Sequence, residues 1–218
     1  LVGIAGLSGS GKSSLIEDTL LKRLTSAKKY GEQEGLWGQD LISDFVKIAQ
    51  EPIGRSSNST PASYIGIWDK IRDLFAKEEA AKRDEMTSGH FSFHSKGACE
   101  ECGGSGYERI FLTSQFSVDK ICKSCGGKRF NKKSLSITYK GKNISQVLEM
   151  SIHEAADFFE DQKQISKPLT VLEKMGMGYL KLGQPTSSLS GGEAQRVKLA
   201  KELGKVHRKN MLYVLDEP

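Results

Sequence analysis

"GLSGSGKS", Gly6–Ser13, is the stretch whose reading decides the fold. It satisfies the pattern G-x-x-x-x-G-K-[ST]. Gly6, Gly9 and Gly11 let the backbone turn sharply, with positive φ where needed. The loop's N–H groups and the following helix N-terminus then form a cradle for phosphate oxygens. In that cradle Lys12 reaches the β- and γ-phosphates, and the Ser13 hydroxyl ligates Mg²⁺. The loop candidates for ATP contact are Gly6, Ser8, Gly9, Ser10, Gly11, Lys12, Ser13 and Ser14. The flanks agree with this reading. "LVGIAG" (Leu1–Gly6) reads as a short buried strand. Lys12 to about Lys29 reads as a helix, with Leu15, Ile16, Leu20, Leu21 and Leu24 near helical spacing.

Two further stretches suit nucleotide chemistry. "MLYVLDEP" closes the chain as an apolar strand ending in Asp216 and Glu217. A strand-end carboxylate beside a phosphate loop can hold Mg²⁺, and its neighbour can orient or deprotonate the attacking water. "LSGGEAQR" (Leu189–Arg196) combines a serine, two glycines and a helix start, which makes a second anion-binding nest. The same residues also fit a capping box, with Ser190 as N-cap and Glu193 three residues on.

The four cysteines fall into two pairs, Cys99-x₂-Cys102 and Cys122-x₂-Cys125, nineteen residues apart. That is the spacing of a tetrahedral four-thiolate zinc site. Glycine pairs follow each, Gly103–Gly104 and Gly126–Gly127, and suit tight knuckle turns. Disulfides, free thiols and a rubredoxin-like iron centre are the alternatives. Basic residues flank the pairs, including Lys96, Arg109, Lys128, Arg129, Lys132 and Lys133, with Phe91, Phe93, Tyr107, Phe111 and Phe130 interleaved. Phosphate contacts with nearby stacking would suit nucleic acid; a solvated surface is the bland alternative.

The rest of the chain supplies context. Its 218 residues carry a net charge of +5, which permits an anionic partner without demanding one. No apolar run reaches the length of a membrane span and no signal peptide opens the chain, so no membrane partner and a cytoplasmic location are expected. The first and last residues lie in strand-like runs, as in a piece of a longer protein. Asp44–Gln50 reads as a strand, Pro61–Ala80 as one helix, Lys77–Glu85 as solvated charge and Ser134–Gly141 as a strand. Ser151 with Glu154 marks a capped helix, and Ile165–Met175 another. The strand–helix alternation favours an α/β core with a parallel sheet.

Phosphate loop, strand-end glutamine, "LSGG" and "LDEP" stand in the order found in ATP-binding-cassette (ABC) ATPases, which the chain resembles. The resemblance implies an α/β P-loop NTPase fold of the ABC type with an inserted α+β zinc-binding signature domain. It divides the chain into an ABC core at 1–85 and 186–218, incomplete at its C-terminus, and an insertion at 86–185 with the zinc finger at 99–125. It makes Gln50 the Q-loop residue, Ser190, Gly191, Gly192 and Glu193 the signature, and Asp216–Glu217 the Walker B pair. Lys12, Gln50 and Glu217 are then the catalytic candidates. The signature of one such module completes the ATP site of another, so a second ABC module or a homodimer partner is implied.

A four-cysteine knuckle between Q-loop and signature narrows the class. "GLSGSGKSSLIEDTL", "QEPIGRSSNSTPASYIGIWDKIRDLFA", "GHFSFHSKGACEEC" and "LGQPTSSLSGGEAQRVKLAKEL" are similar to the second module of the UvrA family of bacterial excinucleases. That resemblance implies ATP hydrolysis coupled to recognition of damaged double-stranded DNA in nucleotide excision repair. Lys128, Arg129, Lys132 and Lys133 are the DNA-contact candidates, and a UvrB-like excinuclease subunit is an implied partner. Between the cysteine pairs, "YERIFLTSQFSVDKI" replaces the family's usual "FLPDV"-like stretch. UvrA-like proteins that confer resistance to DNA-binding drugs are therefore the alternative, with another soluble or transport-linked ABC ATPase behind them.

Overall fold

The computed structural model describes residues 1–30, 37–54, 59–113, 116–205 and 210–216. Residues 14–21 form a π-helical segment that runs into α1 (Lys22–Tyr30). Then follow β1 (Asp44–Ile48), α2 (Pro61–Tyr64), α3 (Trp68–Ala76) and α4 (Glu79–Arg83). Next come β2 (Tyr107–Phe111), β3 (Ser117–Ile121), α5 (Lys132–Ser136), β4 (Thr138–Tyr139) and β5 (Lys142–Asn143). The last elements are α6 (Ile144–Glu149), α7 (Ile152–Phe158), α8 (Lys163–Leu172), α9 (Gly191–Leu203) and β6 (Met211–Leu215). No helix of the described residues is long and apolar enough to cross a membrane.

The chain falls into two compact units. The first holds residues 1–47 and 207–214: the phosphate loop, α1 and the paired strands β1 and β6 up to their last residues. Leu21 and Leu24 are its buried apolar side chains. Lys47 pairs with Glu17 at 2.6 Å. Residues 1–7 are not a strand, and Leu1, Val2, Ile4 and Leu7 are exposed. An apolar run becomes a strand only with ladder partners, and β1 and β6 pair with each other alone among the described residues.

The second unit holds residues 48–206 and 215–218. One apolar cluster runs through it from Ile53 to Ala200, crossing the division at 86–185 drawn from the sequence. Aromatic side chains dominate it: Phe75, Phe91, Phe93, Phe130 and Phe159 are fully buried. The helix expected over Pro61–Ala80 is broken into α2 and α3 by Gly66 at φ +80°, and the charged run beyond forms α4 on the fully buried Ala81. Ser134–Gly141 is not one strand. The Asn131 side chain accepts from Ser134 N at 2.8 Å and starts α5. The following residues form the β4–β5 hairpin, turning through Lys140 (φ +47°) and Gly141 (φ +78°), the positive pair of a type I′ turn. β2 and β3 make a second antiparallel hairpin.

Candidate functional site

The phosphate loop is turned by Gly9 (φ +81°) and Gly11 (φ +86°), positions that favour glycine. Ser10 N donates to Leu7 O at 3.1 Å, closing the turn. Lys12 bends back over it, and its Nζ donates to Gly6 O and Leu7 O, both at 2.8 Å. The helix begins immediately beyond, with Leu15 N donating to Gly11 O at 2.9 Å. Ser8, Ser10, Ser13 and Ser14 are exposed around this turn. The loop thus presents a lysine, hydroxyls and a helix N-terminus together, the chemistry of a polyphosphate cradle.

The signature starts α9 as the capping-box pattern predicts. Ser190 Oγ accepts from Glu193 N at 3.3 Å, and Glu193 Oε2 accepts from Ser190 N at 2.7 Å. The other carboxylate oxygen accepts from the Tyr179 hydroxyl. The Tyr179 and Ser190 donors hold the Glu193 carboxyl below its usual range. The two signature glycines differ in their surroundings. A Cβ at Gly191 would lie 3.0 Å from Gln50 Oε1, whereas one at Gly192 would meet nothing within 4 Å. Gln50 therefore packs against the signature in the same unit. Asp216 follows β6, and its N–H donates to Ile48 O at 3.1 Å. Glu217 lies outside the described residues.

The four cysteine sulfurs come together, all within 4.8 Å of one another. Cys99 and Cys122 Sγ are 4.0 Å apart, Cys102 and Cys125 Sγ 3.8 Å. A metal held by four sulfurs at about 2.3 Å sets their separation at about 3.8 Å, so the cluster has the dimensions of a tetrahedral thiolate site. A disulfide has its sulfurs about 2.05 Å apart, and all four thiols are free. The knuckles match each other: Gly103 and Gly126 both have φ +57°, and Gly104 and Gly127 have φ +83° and +82°. Gly106 N–H donates to Cys102 Sγ at 3.2 Å. Burial opposes ionisation at Cys99, yet N–H groups of Cys102 and Glu101 hold its pKa down to about 7, while burial pushes Cys125 up to about 12.

The glycines give a sharp prediction. A Cβ at Gly104 would lie 1.8 Å from Phe93 O, while one at Gly103 would meet nothing within 4 Å. Gly104→Ala is expected to abolish metal retention. Gly103→Ala carries only a left-handed backbone penalty of about 1–2 kcal/mol. Metal content after gel filtration checks both; equal retention would contradict this packing.

The basic patch divides. Lys128, Lys132 and Lys133 are exposed. Arg129 is a structural residue of the knuckle: its Nε donates to Gly104 O at 2.9 Å, and its guanidinium lies 3.7 Å from the Phe93 ring centroid. Burial lowers its pKa from the usual arginine value. Arg109 is bound by Asp119 across the hairpin, at 2.8 and 3.2 Å. Of the interleaved aromatics, Phe91, Phe93 and Phe130 are core residues, and only Tyr107 and Phe111 are exposed. Sequence reading also missed Gln195, which is buried and donates to two strand-end carbonyls. Only its place in "GGEAQR" hinted at it.

Comparison with known proteins agrees with this geometry. The family model described as ABC transporter matches residues 1–218. UvrABC system protein A of Aquifex aeolicus (strain VF5) is 48% identical over all of this chain and 24% of its own length. Its namesake in Thermus thermophilus is 46% identical over all of this chain and 23% of its own. A crystal structure of UvrA2 from Deinococcus radiodurans superposes with a TM-score of 0.87 at 44% identity, over 98% of this chain and 26% of that one. The chain thus spans about a quarter of the length of the relatives it matches. The chain therefore belongs to the ABC ATPase family, and over its whole length, phosphate loop, signature and clustered cysteines included, it is similar to a stretch of UvrA proteins.

Proposed function

We propose that this chain is the ATP-binding and ATP-hydrolysing module of a UvrA-type protein that couples ATP to recognition of damaged DNA in nucleotide excision repair. The observation that carries the reading is the placement of α9. Its N-terminus is the signature, packed on Gln50, while Ala194, Val197 and Ala200 lie in the apolar cluster that also holds Phe93 and Phe130 at the base of the cysteine knuckles. A shift in the knuckle's support is thereby felt at the signature, and the reverse, because packed cores transmit strain.

In this reading Gly6–Ser14 hold the ATP phosphates, and Lys12 neutralises them. Ser13 and Asp216 hold Mg²⁺, which screens phosphate charge when bound. Gln50 and Glu217 orient the attacking water, and Ser190–Glu193 serve the ATP of a second ABC module or homodimer partner. Cys99, Cys102, Cys122 and Cys125 hold one structural Zn²⁺, the ion that fits a closed four-thiolate site. Residues 86–185 act as the DNA-facing insertion in a core made of 1–85 and 186–218. By likeness to proteins of a UvrABC system, a UvrB-like excinuclease subunit is a further partner.

Lys128, Lys132 and Lys133 contact duplex phosphates. Replacing all three by Ala in the intact protein is expected to weaken DNA binding for every sequence. Each lost contact should also flatten the slope of log K against log salt by about 0.9. Arg129 is left in place because it holds the knuckle. Fluorescence anisotropy across a salt series checks this; an unchanged slope would make the patch a solvated face. The second reading is a UvrA-like protein that confers resistance to DNA-binding drugs, favoured by the stretch "YERIFLTSQFSVDKI" between the cysteine pairs. Tighter binding to lesion-bearing than to undamaged duplex separates repair from that alternative.

A further inference from the structure

Gly191, Gln195 and Lys198 stand at i, i+4 and i+7, on one face of α9. That face grips the exit of β1 residue by residue. Gly191 packs on Gln50, Gln195 Nε2 donates to Ile48 O at 3.2 Å, and Lys198 Nζ donates to Ala49 O at 3.0 Å. Gln195 does more. Its Nε2 also donates to Asp216 O at 2.6 Å, so one buried amide uses both hydrogens to tie the ends of β1 and β6 together. Ile48 O is shared, accepting from Gln195 and from Asp216 N–H at 3.1 Å. The amide orientation follows from its neighbours, since an oxygen facing two carbonyls would be repelled. Glutamate or methionine in its place would offer no such pair of donors.

We propose that Gln195 is a positioning residue for ATP hydrolysis: it fixes the Asp216 main chain against the strand that leads to Gln50, and ties both to the signature helix. This rests on the reading of Asp216 as a Mg²⁺ carboxylate and of Gln50 as the Q-loop residue. Gln195 is not among the nucleotide or Mg²⁺ residues of that reading. It acts by holding the backbone from which both side chains project, and misplacement by about 1 Å at a reacting centre costs on the order of a hundredfold in rate. A helix pulled by the knuckle-bearing core would thereby move the hydrolytic groups of its own module as well as its signature.

The test is steady-state ATPase of the intact protein with Gln195→Met, close in volume, and Gln195→Glu, close in shape. Equilibrium titration with a fluorescent ATP analogue and a Mg²⁺ series accompany it. A lost orienting contact should lower kcat about tenfold or more and raise the Mg²⁺ needed for half-maximal rate, while ATP affinity stays within about threefold. Gln195→Glu should lose more, because it sets an acceptor against two carbonyls. Should Gln195→Met fail to fold, Gln195→Glu carries the same readouts. A folded variant with wild-type kcat and Mg²⁺ dependence would overturn the proposal, as would a fall in kcat matched by an equal loss of ATP affinity. A wild-type protein without ATPase activity would refute the ATPase reading itself, and this role with it.

Discussion

Lys12→Ala is expected to weaken ATP binding roughly ten- to a hundredfold, the loss of one charge-assisted contact, and to remove turnover altogether. The structure adds a second reason for a large effect. The Lys12 ammonium is held 2.8 Å from both Gly6 O and Leu7 O, so the side chain also closes the loop on itself. Alanine loses the phosphate contact and leaves those carbonyls to solvent. Arginine keeps the charge, but its planar fork does not reproduce a point donor between two carbonyls, so Lys12→Arg should also lose most activity. Titration with a fluorescent ATP analogue measures the first effect and phosphate release the second. Affinity within about twofold of wild type would show that the loop binds phosphate by its N–H groups alone.

Cys122→Ser should reduce bound zinc from about one per chain to a small fraction, because a serine oxygen is a poor replacement for a thiolate. Structural zinc contributes folding free energy directly, so its loss is a folding defect. The geometry says how far the defect should spread. β2 and β3 form a two-stranded hairpin whose large apolar side chains are exposed, and such a hairpin is marginal alone. Phe93 and Phe130, by contrast, belong to the aromatic cluster of the unit. Residues 99–128 should therefore become sensitive to protease while the helices around Phe75 and Phe159 persist. Elemental analysis and limited proteolysis read the two parts. Zinc retained by the variant, or unfolding of the whole unit, would contradict this division.

What could be read without coordinates was chemistry that is local in the chain. The capping boxes at Ser151 and Ser190 place their partners three residues apart and are found as read, and the two cysteine pairs come together as one cluster. Failures came where distant residues decide. Leu1–Gly6 has strand composition but no ladder partner among the described residues. Asn131 caps a helix where the apolar alternation of the next residues suggested a strand. Gly66 at φ +80° ends a helix that its neighbours' spacing would have continued. Arg129 looked like one more surface cation until Phe93 and Gly104, distant in the chain, were seen to hold it. The grip of Gln195 on Ile48 and Asp216 joins three parts of the chain, and no periodicity reveals it.

The central claim is that the nucleotide chemistry and the knuckle-bearing surface are coupled. It is tested most directly by the ATPase rate of the intact protein with and without duplex DNA, measured on wild type and on the Lys128, Lys132 and Lys133 triple variant. Coupling is reciprocal for binding, so DNA should change the wild-type ATP affinity severalfold; because the hydrolytic groups ride on the same packed core, the rate should change too, differently for damaged and undamaged duplex. The triple variant should keep its DNA-free rate and lose the response. An ATPase rate indifferent to DNA in the wild type would contradict the account.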